Sequence, residues 1–390
     1  MKAGYGLIEY KNFYIPSMSE DKDQEIRRRL LVLFKNHNEM TDAYISQFGT
    51  EINMKNIQTI RAQFPNIGDT NSMPAAAAEE PEAEALAESL NENHLEKPAT
   101  EFIIKFSNRA FDVPTGDPTK ESPLYPRVVD CPVCKKWGLN SQELRAKSLS
   151  ILNDPFMAPV YITTGHFQEV NYLLAGVTVC DGCLLASPDR KDFILYNRTT
   201  RQNQDSQLPP QVIRELKESI DKRKAFFEKT GIGDALFKLP RCYAAGIVSY
   251  QLADIRAEIE GGAKVQGAFY KRGNYWTRIA LLCRQAGMDD HAALERAAEY
   301  LKTAFMLSDF PKQEMEFQVL YILFNIYLYF GKQKEARDYL SVLDKTRQDL
   351  EQKEGVPDGV LPACKKWLEM GKNRWEDREM PNFWKTPGIT

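Results

Sequence analysis

The sequence predicts an α+β protein: a small β-rich, zinc-ribbon-like domain followed by an all-α, tetratricopeptide-like helical array. Three observations lead there. Two C-x-x-C pairs, Cys131–Cys134 and Cys180–Cys183, lie in a stretch rich in β-branched and aromatic residues. From about Pro209 onward, apolar residues recur at helical spacing, with glycines between the candidate helices. Upstream, residues 71–100 turn to alanine and glutamate with three prolines, a composition that cannot bury enough apolar surface to fold alone.

The bulk numbers set the bounds. The 390 residues leave room for two or three domains, and 43% hydrophobic with 27% charged residues is ordinary globular composition. A net charge of −3 argues against nucleic acid as the general partner. The opening MKAGYGLIEYKNFY lacks the apolar core of a signal peptide, and no run approaches the roughly 18 apolar residues of a membrane span. The expected location is cytoplasmic, with no membrane span. Seven cysteines in a reducing compartment read as metal ligands or redox centres before disulfides.

In chain order, residues 1–70 read as an N-terminal α+β unit. Its helix starts near Ser19, carries Ile26, Leu30, Leu33 and Phe34 on one face, and stops at Gly49. Arg27, Arg28 and Arg29 fit a solvated helix face. Residues 71–100 read as an acidic flexible linker. Residues 101–205 form the cysteine-bearing domain, with strands expected at Phe102–Phe106, before Cys131, within FMAPVYITTG, within VNYLLAGVTVC, and in KDFILYN. Residues 206–390 form the helical array. One helix is expected over PQVIRELKESIDKRKAFFEKTG, with Val212, Leu216, Ile220 and Phe227 near one face. Others are expected at about 240–258, 265–286, 288–308, 312–330, 333–348 and 359–378, with Gly261, Gly262, Gly287 and Gly331 as stops. The two parts are expected to have separate cores. An A-x-x-Y-L pattern at Ala297, Tyr300 and Leu301 returns 39 residues later at Ala336, Tyr339 and Leu340. A small residue one turn before a large one lets helices nest, the spacing that tetratricopeptide repeats use.

Each C-x-x-C brackets a tight turn that points both sulfurs at one cation, and two such knuckles complete a tetrahedral four-sulfur site. Pro132 suits a rigid turn, and Gly182 supplies backbone freedom in the second. The pairs are separated by 45 residues, each with strand-like sequence before it, which is the zinc-ribbon arrangement. The candidate ligands are therefore Cys131, Cys134, Cys180 and Cys183. The expected ion is Zn2+ in a structural role, with iron as the alternative for four thiolates. A dithiol redox turn is the chemical rival for CPVC, without the βαβ context that such chemistry uses. His166, the only histidine between the pairs, fits a surface residue. GIVSY (Gly246–Tyr250) lacks the second glycine of a nucleophile elbow, and Asp289 and Asp290 read as a solvated helix start. No catalytic constellation emerges, so no enzymatic activity is expected.

The run VVDCPVCKKWGLNSQELRAKSLSILNDPFMAPV, followed by VNYLLAGVTVCDGCLLASP, is similar to domain-of-unknown-function family 2225 of bacteria. Its members carry a CPxC turn, a middle with strand character, and a V-C-x-x-C-x-x-A segment, here Val179–Cys183 with Ala186. They continue into tetratricopeptide-like helices, with a segment like Tyr270–Gln285, and the resemblance covers roughly residues 125–345. The family commonly has a glycine after each pair, where this chain has Lys135 and Leu184. The resemblance implies fold and metal, and no reaction.

The expected function is a non-enzymatic, zinc-binding adaptor or scaffold for protein–protein interaction in a bacterial assembly. Its protein partner would sit in the helical-repeat groove, lined by Tyr270, Trp276, Tyr321, Tyr327 and Tyr329. The alternative is a zinc-ribbon nucleic-acid-binding protein using Lys135, Lys136, Arg190 and Lys191.

Overall fold

The computed structural model describes residues 30, 38–49, 59, 60, 63, 98–114, 116–197, 202–380, 383 and 384. The chain divides into two compact units, Met1–Glu92 and Asn93–Thr390. In the first, helix α1 (Asn38–Phe48) ends at Gly49, whose left-handed φ of 69° lets its amide donate to the Ile45 carbonyl at 2.9 Å. Tyr44 and Phe48 pack one turn apart on α1, and Leu30, Met40, Tyr44 and Ile60 are buried. The expected cap at Ser19, the arginine run, Ile26, Leu33, Phe34 and most of the Ala/Glu-rich segment lie outside the described residues.

The second unit begins with an antiparallel sheet region. Strands β1 (Leu124–Asp130), β2 (Leu139–Leu144), β7 (Ile194–Asn197) and β8 (Gln202–Gln204) form one sheet in the order β2-β1-β7-β8. Its register pairs Val129 with both Leu139 and Leu195. Strands β3 (Leu149–Asn153) and β4 (Pro159–Thr163) make a separate hairpin, as do β5 (Thr178–Val179) and β6 (Ala186–Ser187). Successive side chains of a strand face opposite sides, so Val129 turns inward while Val128 stays exposed.

The helical array follows: α2 (Pro210–Glu218), α3 (Ile220–Thr230), α4 (Tyr243–Gly262), α5 (Ala268–Gln285), α6 (His291–Leu307), α7 (Glu314–Tyr329), α8 (Gln333–Gln352) and α9 (Val360–Glu376). From α4 to α9 each helix packs on the next, and α7 also meets α9. The repeated A-x-x-Y-L pattern marks two helix contacts. Leu301 rests on Gly273 of α5, and Leu340 rests on Gly371 of α9. A β-carbon at either glycine would come within 2.5 or 2.6 Å of the leucine, so only glycine permits these approaches.

Buried ion pairs tie the early helices together. Asp254 of α4 accepts from Arg272 Nε at 2.7 Å and from Trp276 Nε1 at 3.0 Å, and Arg272 Nη2 donates to the Tyr300 hydroxyl at 2.6 Å. Arg256 donates to Asp192 at 2.5 Å, to Glu260 at 2.6 Å and to the Tyr275 hydroxyl at 2.7 Å. Asp192 also accepts from Ser187 Oγ, so this network runs from β6 into α4.

Several expectations give way. Residues 102–106 form no strand. They run extended over the helices, where Phe102 stacks edge-on against Trp276 and its carbonyl accepts from Gln251. Only Thr178–Val179 of VNYLLAGVTVC is strand, because a 3-10 turn at Tyr172–Leu174 is capped by the Asn171 side chain. The helix expected after Pro209 breaks into α2 and α3 at Ser219, whose hydroxyl bonds back to the Glu215 carbonyl at 2.8 Å. Gly261 and Gly262 lie inside the last turn of α4 rather than beyond it. The sheet region and helices also do not have separate cores. Val129, Leu139, Leu185 and Phe193 form one cluster with Leu208, Val212 and Leu216, and Ile220 and Ile259 pack against it.

Candidate metal centre

The first C-x-x-C is the turn between β1 and β2, and the second is the turn between β5 and β6. Both close in the same way. The Cys131 amide donates to the Lys136 carbonyl at 2.8 Å, and the Lys135 amide donates to the Cys131 carbonyl at 3.1 Å. In the second, the Cys180 amide donates to the Leu185 carbonyl and the Leu184 amide to the Cys180 carbonyl, each at 2.8 Å. The turn forces the residue after each pair into the left-handed region, φ 62° at Lys135 and 59° at Leu184. That explains why glycine suits these two positions. A side chain there costs on the order of 1 kcal/mol.

The two turns face each other. Cys131 Sγ lies 3.5 Å from Cys183 Sγ, and Cys134 Sγ lies 3.5 Å from Cys180 Sγ. All four sulfurs fall within 4.8 Å of one another. Metal–sulfur bonds of about 2.3 Å place the corners of a tetrahedron about 3.8 Å apart, so the four sulfurs fit one ion of that size. The seven cysteines are free thiols, and three of the four here are fully buried, with Cys134 at the surface. At Gly182, a β-carbon would stand 3.2 Å from Cys134 Sγ, so the second turn must be bare where it meets the first sulfur pair. Lys136 Nζ reaches Asp181 at 2.7 Å and bridges the turns from outside.

The crowded sulfurs divide their protons unequally. Hydrogen bonds from Cys131 and Cys180 hold the Cys183 thiol down, to about 4. Cys131 is pushed up by its bonds to Cys180 and Cys183 and by burial. A soft cation satisfies all four sulfurs at once, which shared protons cannot do.

The remaining sequence candidates lie elsewhere. His166 is exposed, sits on Phe167, and is 3.6 Å from Glu121. Of the four cations near the turns, Lys136 pairs with Asp181 and Arg190 with Glu143. The aromatic lining expected for a groove is mostly core: Trp276, Tyr321 and Tyr327 are buried between helices. The one at Trp276 is further fixed by its bond to Asp254. Asp290 is likewise buried rather than solvated, held by Arg284 at 3.1 Å and by the Tyr329 hydroxyl at 3.1 Å. Asp289, Asp290 and His291 form a second compact ligand-type group.

Two buried charges had no signal in the sequence. Arg223 of α3 lies against the cysteine turns, its Nε donating to the Cys183 carbonyl at 3.1 Å. Asp154, fully enclosed, accepts from the Phe156 and Ala158 amides and from Arg284. Burial pushes its carboxyl up to about 6 against those attractions. Neither lies in a periodic or spaced motif, so only spatial neighbours reveal them.

No helix among the described residues is long and apolar enough to cross a membrane. No curated protein and no solved structure matches the chain. The model of a family described as "Uncharacterized protein conserved in bacteria (DUF2225)" matches residues 124–358, from the first strand of the sheet to just before α9. That span contains both cysteine turns and covers more than half of the chain, and the chain belongs to this bacterial family.

Proposed function

We propose that the chain is a non-enzymatic scaffold in which one structural zinc ion organises the sheet region against the helices. The single observation that carries this reading is the closed shell of four sulfurs from two facing turns. Four thiolates fill a tetrahedral ion and leave no position for a substrate or an activated water. Zinc is the ion of choice because the two-turn layout and thiolate-only donor set suit it, with iron second. The role of the helices is to bind a protein partner. A cleft of about 400 Å³ supports this, bounded by Phe102, Ile103 and Lys105 on one side and Met288, Ala292 and Ala293 on the other.

Elemental analysis of freshly reduced, unchelated protein tests the metal, with about one zinc per chain expected. The same preparation should show no thiol–disulfide exchange with a small disulfide and no salt-dependent binding to generic DNA or RNA. Exchange activity without metal would replace the scaffold by a redox protein. Salt-dependent nucleic-acid binding would favour the zinc-ribbon nucleic-acid reading instead.

A further inference from the structure

Four thiolates around a divalent ion carry a net charge of roughly −2. Placing that charge in a core is unfavourable unless a cation or several donors lie beside it. Three of the four sulfurs are fully buried. They share their hydrophobic cluster with α2 and with Ile220, the first residue of α3.

Arg223 of α3 is 0% exposed. Its Nε donates to the Cys183 carbonyl at 3.1 Å and its Nη1 to Ser219 Oγ at 2.7 Å. Its Nη2 is buried with no hydrogen-bond partner. The other buried arginines have other partners: Arg256 pairs with Asp192 and Glu260, Arg272 pairs with Asp254, Arg241 donates to the Leu236, Leu174 and Val177 carbonyls, and Arg296 lies over the Phe102 and Trp276 rings. Among the described residues no carboxylate forms an ion pair with Arg223. Its guanidinium instead lies against the cysteine turns, bonded to the carbonyl of Cys183. A buried guanidinium without a carboxylate is costly on its own. Beside a four-thiolate centre it has a counter-charge, and the centre has a cation.

We propose that Arg223 is the built-in counter-cation of the four-cysteine site, and that metal occupancy is thereby coupled to docking of α3 against the sheet region. The proposal rests on the metal reading above. The coupling is reciprocal: the held metal fixes the charge that Arg223 faces, and the docked helix brings the charge that steadies the metal. Ser219 matters as the residue that breaks α2 from α3 and sets the angle at which Arg223 enters. Its hydroxyl accepts from the guanidinium but carries no charge of its own, so it contributes geometry rather than counter-charge.

The test uses the full chain with zinc, a competing chelator and four variants: Arg223→Met, Arg223→Gln, Arg223→Lys and Ser219→Ala. The wild type is expected to bind about one zinc per chain. Removing the charge, in Arg223→Met or Arg223→Gln, should weaken zinc binding by about 10- to 100-fold, the usual size for a supporting residue outside the ligand shell. Arg223→Lys should recover most of the affinity, and Ser219→Ala, which loosens Arg223 but keeps its charge, should weaken binding less than either neutral variant. Hydrogen exchange on the wild type supplies a readout that does not depend on any variant folding. Chelation should raise exchange across residues 219–230 and leave α7 and α8 protected. Unchanged protection of α3 on chelation would overturn the coupling. Wild-type affinity in a folded neutral variant, or equal weakening by Lys and Gln, would overturn the counter-charge. A wild type that binds no zinc overturns the metal reading and this inference with it, whereas a zinc-bound wild type with indifferent variants overturns the inference alone.

Discussion

In the helices from α4 to α9, burial is supplied by long apolar faces: α7 alone encloses Phe317, Val319, Leu320, Ile322, Leu323, Phe324 and Ile326. In residues 124–204 the strands are two to seven residues long, and several carry mostly exposed side chains, β3 and β8 among them. The same chain therefore contains one region held by apolar area and another whose centre is four sulfurs. Short hairpins with so little core are not stable alone. The difference teaches that the cysteine turns stand in for apolar volume where the strands are too short to supply it, as structural metals do in small domains.

The largest expected effect breaks the comparison at its weaker side. Cys180→Ser, or chelation of the wild type, should remove a binding free energy on the order of 10 kcal/mol from the sheet region. Exchange protection should collapse across 124–204 and, through the shared cluster at Val212 and Leu216, spread into α2. The array beyond α4 should keep its helical circular dichroism. An array that unfolds together with the sheet region would show that the two do not differ in this way.

Next comes the stronger side. Asp254→Ala leaves Arg272 and the Trp276 indole without their shared acceptor. Removing one partner of a buried pair costs about 3–5 kcal/mol. Urea unfolding followed by helical signal should show that loss equally in metal-loaded and chelated protein. A loss seen only in the loaded form would place Asp254 in service of the metal.

Leu301→Ala is smaller, about 3 kcal/mol, because the side chain is fully enclosed against Gly273 and leaves a cavity when truncated. The same substitution at the exposed Leu152 of β3 should change stability by less than about 0.5 kcal/mol. Equal effects at the two positions would dissolve the contrast between the regions.

The smallest effect is a pH dependence. The Asp154 carboxyl is raised, chiefly by burial, to about 6 in the folded state, above the usual carboxylate value of about 3.9. The folded protein then holds more protons than the unfolded chain between those values. The stability from this group is complete below about pH 4 and is lost as pH rises through about 6. Asp154→Asn should flatten that stretch of the stability profile by about 1–3 kcal/mol. A profile identical in both proteins would mean that Arg284, which donates to Asp154, fully offsets the burial.

Much of the site could be read from local sequence because its chemistry is local. A C-x-x-C turn is specified within six residues, and each expected ligand lies where the turns place it. The helix periods were legible for the same reason, and α5 to α9 lie within a few residues of the expected spans. Strand β2 and the hairpin strand β3 were not legible, because LNSQEL and LSILN alternate too weakly to separate from turn. The extended run at Phe102–Phe106 misled because aromatic and β-branched content describes any half-buried extended chain, paired or not.

What the sequence determined by itself was which four cysteines cluster and the succession of helices. These follow from interactions within one turn of chain. The tertiary structure alone decided which turns face each other, that Leu301 and Leu340 rest on glycines, and that α2 joins the sulfur core. It also decided that Arg223 meets no carboxylate among the described residues and that Asp154 is enclosed. Burial and charge pairing are properties of neighbours brought together across tens of residues, and no short window of sequence contains both members of such a pair.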